Sequence, residues 1–534
     1  MKQLITLFGL FAITARATFS QNSFDYTLEL EPVTVTNLPG LHSYAYAQHN
    51  GKWLVIGGRR DGLHARQPFN AFPQAQNNTD IYVIDVETQQ FWTASLNSLP
   101  TGIKEQLQAT NMNFCQDADT LYIAGGYAFS TTENDHVTFP NLTSVSVSSL
   151  ITNIVNGSTI TSDFKQITDT VFAVTGGHMA KLGNTFYLVG GHRFDGRYNP
   201  MGNPTYTQTY TNKIKKFTLN NSGSQLSYAN LTAITDPVHL RRRDYNLLPQ
   251  IFPNGDEGLT ISSGVFQLGA DLPFLYPVDI TATGYTPVTT FNQYLCNYHS
   301  AFASLYDNSA NEMHSVFFGG MSRYYYQNGT LIEDDQVPFV KTISLLTRIA
   351  DGTLHEYQLP LEMPGLEGAS AEFIINENLP HYESDIIKLS EIQQDTILIG
   401  HILGGIQSTS LNPFGSNQTN NTSASNTIYA VKLIRTTPSG FHAIDGNNPF
   451  DVSVFPNPAV NELEVTFDLK NDASVSYYIT NPQGQLIMQR QSVSAKAGAN
   501  KLHIQLENAS AHQTLFLTFI IDDKFYVTKK VLAK

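Results

Sequence analysis

The sequence predicts an all-β protein, a six-bladed β-propeller followed by a small C-terminal β-sandwich, and three observations carry that prediction. Only 14% of the residues are charged, against roughly 25% in an average soluble domain. Tyrosine (26) and phenylalanine (32) are abundant, which favours strands and turns over long surface helices. A short β-rich run that ends in two small residues recurs six times along the chain.

The composition excludes several functional classes. The formal net charge of −14 argues against a nucleic-acid partner, because binding to phosphates needs a basic surface. Two cysteines, Cys115 and Cys296, exclude a disulfide scaffold and a zinc site built on cysteines. We expect both as buried free thiols in inner strands on opposite sides of the ring, beyond a disulfide's Cα reach of about 7 Å.

Residues 1–20 have the pattern of a secretory signal peptide. Lys2 supplies positive charge, residues 4–13 form an apolar run, and Ser20 ends the segment with a small side chain. The run is too short for a permanent membrane helix, and a buried N-terminal helix is the weaker alternative. No cysteine precedes Cys115, which excludes a lipid-anchored N-terminus after cleavage. No later apolar stretch reaches 18 residues, so no transmembrane segment is predicted.

The segment 24–35 alternates apolar and polar residues like a β-strand, yet it has no repeat of its own. We predict that it supplies the missing outer strand of the last blade. Such a strand would close the ring and cover both of its free edges.

The recurring run marks the second strand of each predicted blade. Successive copies lie between 56 and 85 residues apart, which leaves room for four strands of about five residues and long loops. The copies are Trp53–Gly58, Leu121–Gly126, Phe186–Gly191, Leu259–Gly264, Ser315–Gly320 and Ile399–Gly405.

The first repeat carries the fullest pattern, with Gly57 and Gly58 followed later by Tyr82 and Trp92. This pattern resembles the Kelch repeat, a four-stranded propeller blade. Glycine is needed where the second strand leaves the sheet, because neighbouring backbone approaches too closely for a Cβ. Large aromatic side chains pack between blades. The resemblance implies a Kelch propeller over residues 21–440.

Propeller topology predicts which residues share a face, since the loop after each second strand and the segment entering each first strand emerge on the same side. Nine of the 13 arginines fall on this predicted face, at positions 59, 60, 66, 193, 197, 241, 242, 243 and 323. Guanidinium forks match carboxylates, sulfates and phosphates, so we predict an anionic-ligand site around the central opening. Its predicted ligand-binding residues are Arg59, Arg60, His192, Arg193, Arg243, His299, Arg323 and Tyr324.

A structural interpretation competes with this one. Kelch repeats often carry Arg or His at the start of the inner strand for hydrogen bonds between blades. That interpretation suits Arg243, His42, His178 and His299. It suits the arginines in the long loops less well.

Two enzymatic alternatives rest on resemblance alone. The pair Tyr298-His299 is similar to a fragment of the copper-radical oxidases related to galactose oxidase, but their seven blades, second histidine and cross-linked Tyr–Cys are not matched. A six-bladed ring with arginines at its mouth also resembles the sialic-acid mutarotases, which implies proton transfer by Glu372 with Arg243. No catalytic residue is assigned, and neither a metal nor a cofactor is predicted.

The C-terminal residues form a separate unit, 451–534, after a linker at 441–450. The run Phe455-Pro-Asn-Pro-Ala459, the alternation over 463–467 and a final hairpin over 514–531 indicate a small β-sandwich. Together with Lys529–Lys534 at the end, this unit resembles the type A C-terminal sorting domain. That domain directs proteins through the type IX secretion system of Bacteroidetes bacteria.

Two features depart from that family's pattern. Asn481-Pro-Gln-Gly484 stands where Asp-x-x-Gly is usual, and Gln513–Phe516 replaces a late Gly-x-Tyr. The resemblance implies a secreted or surface location and the outer-membrane secretion machinery as a partner. The sequence thus predicts an exported binding module, for an anionic glycan or another surface polymer. A carbohydrate-active enzyme or a protein-docking scaffold is the alternative.

Overall fold

The computed structural model describes residues 24–200, 204–327, 329–435, 443–444, 450, 452–481, 486–506, 513–522 and 525–533. The predicted signal peptide and most of the predicted linker lie outside these residues. The described chain is mostly β. Its helical segments are α1 (Thr101–Leu107), α2 (Val147–Val155) and 3₁₀ turns at Pro68–Asn70, Gln74–Gln76, Leu96–Ser98, Thr161–Asp163, Thr170–Phe172, Leu389–Glu391 and Thr419–Asn421. None of the described helices is long and apolar enough to cross a membrane.

The strands from 26 to 435 form six main sheets within the described residues. The first strand is β1 (Tyr26–Val33). The first sheet contains β2 (Ala45–His49), β3 (Lys52–Ile56), β4 (Asp80–Asp85) and β5 (Gln90–Ser95). The second contains β6 (Asn113–Asp117), β7 (Thr120–Ala124), β10 (Asn141–Ser146) and β11 (Phe164–Thr168), with the hairpin β8 (Tyr127–Ser130) and β9 (Asp135–Thr138) between β7 and β10 in the chain.

The third and fourth sheets follow the same order. The third contains β12 (His178–Leu182), β13 (Thr185–Val189), β16 (Lys213–Asn220) and β17 (Ser227–Thr235), with the hairpin β14 (His192–Gly196) and β15 (Tyr206–Tyr210) after β13. The fourth contains β18 (Asn246–Ile251), β19 (Glu257–Ser262), β20 (Val278–Ile280) and β21 (Tyr285–Pro287).

The fifth sheet has six strands, and the sixth sheet includes a strand from the start of the chain. The fifth contains β22 (Phe302–Asp307), β23 (Glu312–Phe318), β26 (Thr342–Arg348) and β27 (Leu354–Glu362), with the hairpin β24 (Tyr324–Gln327) and β25 (Thr330–Glu333) after β23. Two short strands extend it, β30 (Ile386–Lys388) beside β22 and β35 (Ala443–Ile444) beside β27. The sixth contains β29 (Glu372–Ile375), β31 (Thr396–Leu403), β34 (Ile428–Arg435) and β1. A small separate sheet contains β28 (Leu366–Ala369), β32 (Ile406–Ser408) and β33 (Thr422–Ala424).

The N-terminal strand completes the sixth sheet from the opposite end of the chain. Strand β1 runs antiparallel to β34, from Tyr26 opposite Arg435 to Val33 opposite Ile428. Phe24 and Tyr26 are buried in an apolar cluster shared with the fifth and sixth sheets. The first and last strands of this region therefore hold each other in place.

Double-glycine runs end the second strands, as the repeat pattern requires. At Gly125 a Cβ would lie 1.9 Å from the carbonyl oxygen of Val174, and φ is +66°. At Gly58 a Cβ would lie 2.5 Å from the carbonyl oxygen of His42, with φ of +82°. Only glycine tolerates both the positive φ and the close approach of the neighbouring backbone.

A closed cycle of backbone hydrogen bonds joins the segments that enter the six innermost strands. We call its members, Ser43, Asn111, Gly176, Asp244, His299 and Ser370, the six-residue ring. Each N–H donates to the next carbonyl: Ser43 to Ser370 (3.1 Å), Ser370 to His299 (2.9 Å), His299 to Asp244 (2.9 Å), Asp244 to Gly176 (2.8 Å), Gly176 to Asn111 (3.2 Å) and Asn111 to Ser43 (3.1 Å). The six sheets are thereby arranged around one centre.

The C-terminal residues form two further sheets around one apolar core. One contains β36 (Ser453–Phe455), β37 (Glu462–Leu469) and β40 (Gly498–Gln505). The other contains β38 (Ala473–Thr480), β39 (Leu486–Ala495), β41 (Thr514–Ile521) and β42 (Phe525–Leu532). Alternating burial along β37 and β41 points one face of each strand into that core.

The two cysteines are free. Cys115 lies in β6, the strand predicted for it, but it is only partly buried, which corrects the prediction of a buried thiol. Cys296 lies in the segment before β22 instead of in the strand, which corrects the sequence prediction. The Cys296 residue has a φ of +56°, a left-handed conformation that does not continue a β-strand.

Candidate functional site

A cavity of about 420 Å³ opens above the six-residue ring. Ser43, Asn111, Asp244, His299 and Ser370 of the ring form part of its lining. Its walls come from the loops that follow the second strands. This volume falls within the roughly 300 to 1,000 Å³ of small-molecule sites.

The cavity walls are largely aromatic. The phenylalanine and tyrosine residues of the lining are Phe72, Tyr127, Phe194, Tyr198, Tyr206, Phe266, Tyr298 and Phe414, and its imidazoles are those of His42, His64, His192 and His299. Phe194 and Tyr206 stack with their ring centroids 4.5 Å apart, and His64 and Phe72 stack at 4.7 Å. These stacked pairs make the wall a packed aromatic surface.

Strand alternation explains which side chains of the β14–β15 hairpin enter the cavity. His192 and Phe194 lie two residues apart on one face and are buried, whereas the side chain of Arg193 on the other face is 51% exposed. Gln208 pairs with Phe194 across the hairpin, and its Nε2 donates to Nδ1 of His192 at 2.6 Å. Period-two geometry thus selects His192 and Phe194 for the cavity and excludes Arg193.

Four of the eight predicted ligand-binding residues line the cavity: Arg59, His192, Arg243 and His299. The other four, Arg60, Arg193, Arg323 and Tyr324, are not among its lining residues. The structure therefore brings together half of the predicted set.

Arg59 is buried and already bound to a carboxylate. Its Nε and Nη2 donate to the two carboxylate oxygens of Asp61 at 2.8 and 2.5 Å. Its Nη1 donates to Oδ1 of Asn77 at 2.9 Å, and its guanidinium lies over the ring of Phe72. The fork is occupied in the way that a ligand carboxylate would occupy it.

Arg243 is likewise engaged. Its Nη1 lies 2.5 Å from Oδ2 of Asp244, and its Nε donates to the Tyr210 hydroxyl at 3.3 Å. The guanidinium also lies 4.8 Å from the centre of the Phe266 ring. The cavity's two arginines are thus each paired with an aspartate from a nearby position in the chain.

The four residues outside the cavity are held by their own partners. Arg60 binds Asp80 at 2.8 Å, and Arg193 binds Asp195 at 2.5 Å. Arg323 is fully buried and pairs with Glu333 and with Asp335. Tyr324 is buried and packs edge-on against Tyr294, with ring centroids 4.9 Å apart.

The remaining arginines of the predicted face bind backbone carbonyl oxygens. The bonds are Arg66 to Gly415, Arg197 to Ala71, Arg241 to Phe266 and Gln267, and Arg242 to His239, Ser263 and Tyr276. All nine arginines therefore contact groups of the protein itself. Bracing of the loops accounts for these contacts.

A smaller cavity of about 30 Å³ lies next to the ring and is lined by His178, His299 and Glu372 among others. Nε2 of His299 lies 3.5 Å from Oε1 of Glu372. Burial raises the pKa of the Glu372 carboxyl to about 8, and burial, followed by the charge of His178, lowers the pKa of His299 well below its usual value. Both shifts favour the uncharged forms, a protonated carboxyl and a neutral imidazole.

We expect the Glu372 carboxyl to make stability depend on pH. Its pKa rises from 4.5 in the unfolded chain to about 8 in the fold, so its contribution is complete below the lower value and is lost as pH rises through the upper one. Glutamine cannot titrate. As the pH rises from about 5 to about 8, the free energy of unfolding of the wild type should therefore fall relative to that of the Glu372→Gln variant.

Denaturant unfolding at both pH values measures this difference. Glu87→Gln, at an exposed carboxyl in the β4–β5 turn, is the matched control and should keep the wild-type pH dependence. The prediction is wrong if Glu372→Gln follows the control.

Sequence reasoning missed the aromatic wall. Phe72, Tyr206 and Phe414 lie in or beside long loops. Loop sequences have no periodicity, so they do not indicate which side chains face the cavity. Only the alternation of side chains along β14 could have indicated in advance that His192 and Phe194 share a face. Among the described residues, no group of three or more His, Cys, Asp or Glu side chains is placed to hold a metal ion, and we propose no metal site.

The C-terminal unit is a type IX sorting domain. Residues 453–534 match the family described as "Secretion system C-terminal sorting domain", which confirms that part of the sequence prediction. A domain of this family indicates export by type IX secretion in Bacteroidetes, to the cell surface or to the medium. The protein is therefore an exported protein with a mostly β body.

The body has a distant structural likeness. A solved structure described as "Structure of YjhT" is 13% identical, covers 78% of this chain and 99% of its own, and gives a TM-score of 0.41. No curated protein sequence matches the chain.

Proposed function

We propose that residues 26–435 form a six-bladed Kelch-type propeller that binds a carbohydrate ligand in the cavity above the six-residue ring. Six sheets arranged around one closed hydrogen-bond cycle support the propeller. The sorting domain indicates export of the protein to the cell surface or the medium, where a carbohydrate ligand would be accessible to it.

The observation that carries the proposal is the cavity's combination of aromatic walls and a polar floor. Flat rings such as those of Tyr198 and Tyr206 offer faces to the C–H groups of a sugar. Ser43, Ser370 and Gln208 lie in the same lining and present groups that suit hydroxyls. A concave site of about 420 Å³ with aromatic and polar lining residues favours a small ligand or a chain end over a broad protein surface.

Binding of oligosaccharides to the full chain tests this proposal. We expect saturable binding on a glycan array, weakened about tenfold in Tyr198→Ala, because that change removes one aromatic face of the cavity. Arg60→Ala is the control, because Arg60 belongs to the same loop as the lining residue Arg59 but does not line the cavity. This variant should bind as the wild type does. Absence of any glycan binding, or equal binding by both variants, would overturn the proposal.

A second candidate function, proton transfer on a bound sugar, is favoured by the His299–Glu372 pair. His299 lines both cavities, so it connects the buried carboxyl with a ligand above the ring. A buried carboxyl that keeps its proton at neutral pH can act as a general acid, and His299 lies between this carboxyl and the ligand position. Turnover of a bound sugar that disappears in Glu372→Gln would establish it.

A further inference from the structure

We infer that the cavity takes an electrically neutral carbohydrate and discriminates against uronic, sialylated or sulfated ones. This inference rests on the proposed carbohydrate-binding function and names its ligand class. It reverses the preference for an anionic ligand that the arginine count in the sequence predicts.

The first support is the charge of the cavity. Its lining contains two guanidiniums, Arg59 and Arg243, and three carboxylates, Asp244, Asp271 and Asp335. Outside the lining, Asp61 adds a carboxylate beside Arg59 and Arg323 adds a guanidinium beside Asp335, so the carboxylates still outnumber the guanidiniums. The cavity is therefore not a basic one, and an entering anion meets at least as many carboxylates as guanidiniums.

The second support is that Arg59, the more buried of the two cavity arginines, would have to give up its own carboxylate to bind a ligand anion. The Arg59 side chain is only 3% exposed and holds Asp61 through two of its nitrogens. Exchanging this contact for a ligand carboxylate would leave Asp61, which is partly buried, without the arginine that it pairs with. Leaving a buried charge without its partner costs free energy, so the exchange adds little to the affinity for an anion.

The third support is Asp271, which lies exposed at the mouth of the cavity. A carboxylate in that position repels an approaching anion and leaves a neutral sugar unaffected. The formal net charge of −14 acts in the same direction at longer range.

The fourth support is that the lining offers a ligand aromatic faces and uncharged hydrogen-bonding groups. Phe194, Tyr206 and Tyr198 form a stacked group within the lining. Thr110 and Thr175 add hydroxyls from the segments near the ring. Apolar faces combined with uncharged hydrogen-bonding groups suit pyranose rings, which carry both C–H faces and hydroxyls.

The test compares neutral glycans with uronate, sialylated and sulfated glycans at low and at high salt, using the full chain. We expect binding of neutral glycans that changes less than about twofold with salt, since no net charge is neutralised. Tyr206→Ala should weaken it about tenfold, whereas Tyr206→Phe, which keeps the ring, should retain it.

A charge variant sharpens the result. Asp271→Asn should raise binding of anionic glycans and leave binding of neutral glycans unchanged. Salt-sensitive binding confined to anionic glycans would overturn the inference while leaving the proposed function intact. Absence of binding to every glycan would instead overturn the proposed function.

Discussion

A chain that lacks residues 24–33 should lose about 5 kcal/mol or more of its stability, a large share of the roughly 5 to 15 kcal/mol of a typical fold. Strand β1 pairs with β34 over its whole length. The deletion would remove the buried rings of Phe24 and Tyr26 from their cluster. It would also expose the edge of β34, which invites aggregation.

Thermal unfolding of a chain that begins at residue 34 measures this effect. A chain that begins at Phe24 is the matched control and should unfold like the mature protein. A synthetic peptide of residues 24–33, added in trans, should restore part of the lost melting temperature. Equal melting temperatures for the two chains would contradict the closing role of β1.

Replacement of Arg242 by alanine should cost about 3 to 5 kcal/mol of stability. Arg242 is fully buried. Its Nε donates to the carbonyl oxygen of His239, and its Nη1 donates to those of Ser263 and Tyr276. Its guanidinium lies 4.2 Å from the centre of the Phe274 ring. The substitution leaves three carbonyl oxygens without this donor and opens a space beside the ring.

Arg193→Ala is the matched control, because this arginine belongs to the same predicted face and its side chain is 51% exposed. An exposed ion pair with Asp195 contributes no more than about 1 kcal/mol. Chemical denaturation of both variants gives the comparison. If the two substitutions cost the same, Arg242 does not brace the loop as the contacts indicate.

The repeating parts of the fold could be predicted because each depends on a short pattern of neighbouring residues. The double-glycine runs mark second strands, since a Cβ at Gly58 or Gly125 would collide with backbone of a neighbouring segment. The export tail was predictable for the same reason, because Phe455–Ala459 and the final hairpin are short patterns within one unit. The position of Cys296 before β22 was not, because nothing near it in the sequence signals a left-handed φ.

The candidate site was half predictable. Topology correctly directs attention to the loops after the second strands, and Arg59, His192, Arg243 and His299 do line the cavity. The charge state of the site was not predictable by counting arginines. Asp61 and Asp244 cancel the two cavity arginines at distances of 2.5 Å, and a count of one residue type does not include such partners.

The amino-acid sequence alone therefore determined the strand-rich body, the repeats and the sorting domain, because each depends on neighbours within a few residues. Tertiary structure alone decided the closed six-residue ring, the aromatic wall and the pairing of the arginines. Those features join residues that are far apart in the chain, such as Ser43 with Ser370. Side chains that meet only after the sheets assemble leave no periodic trace along the sequence.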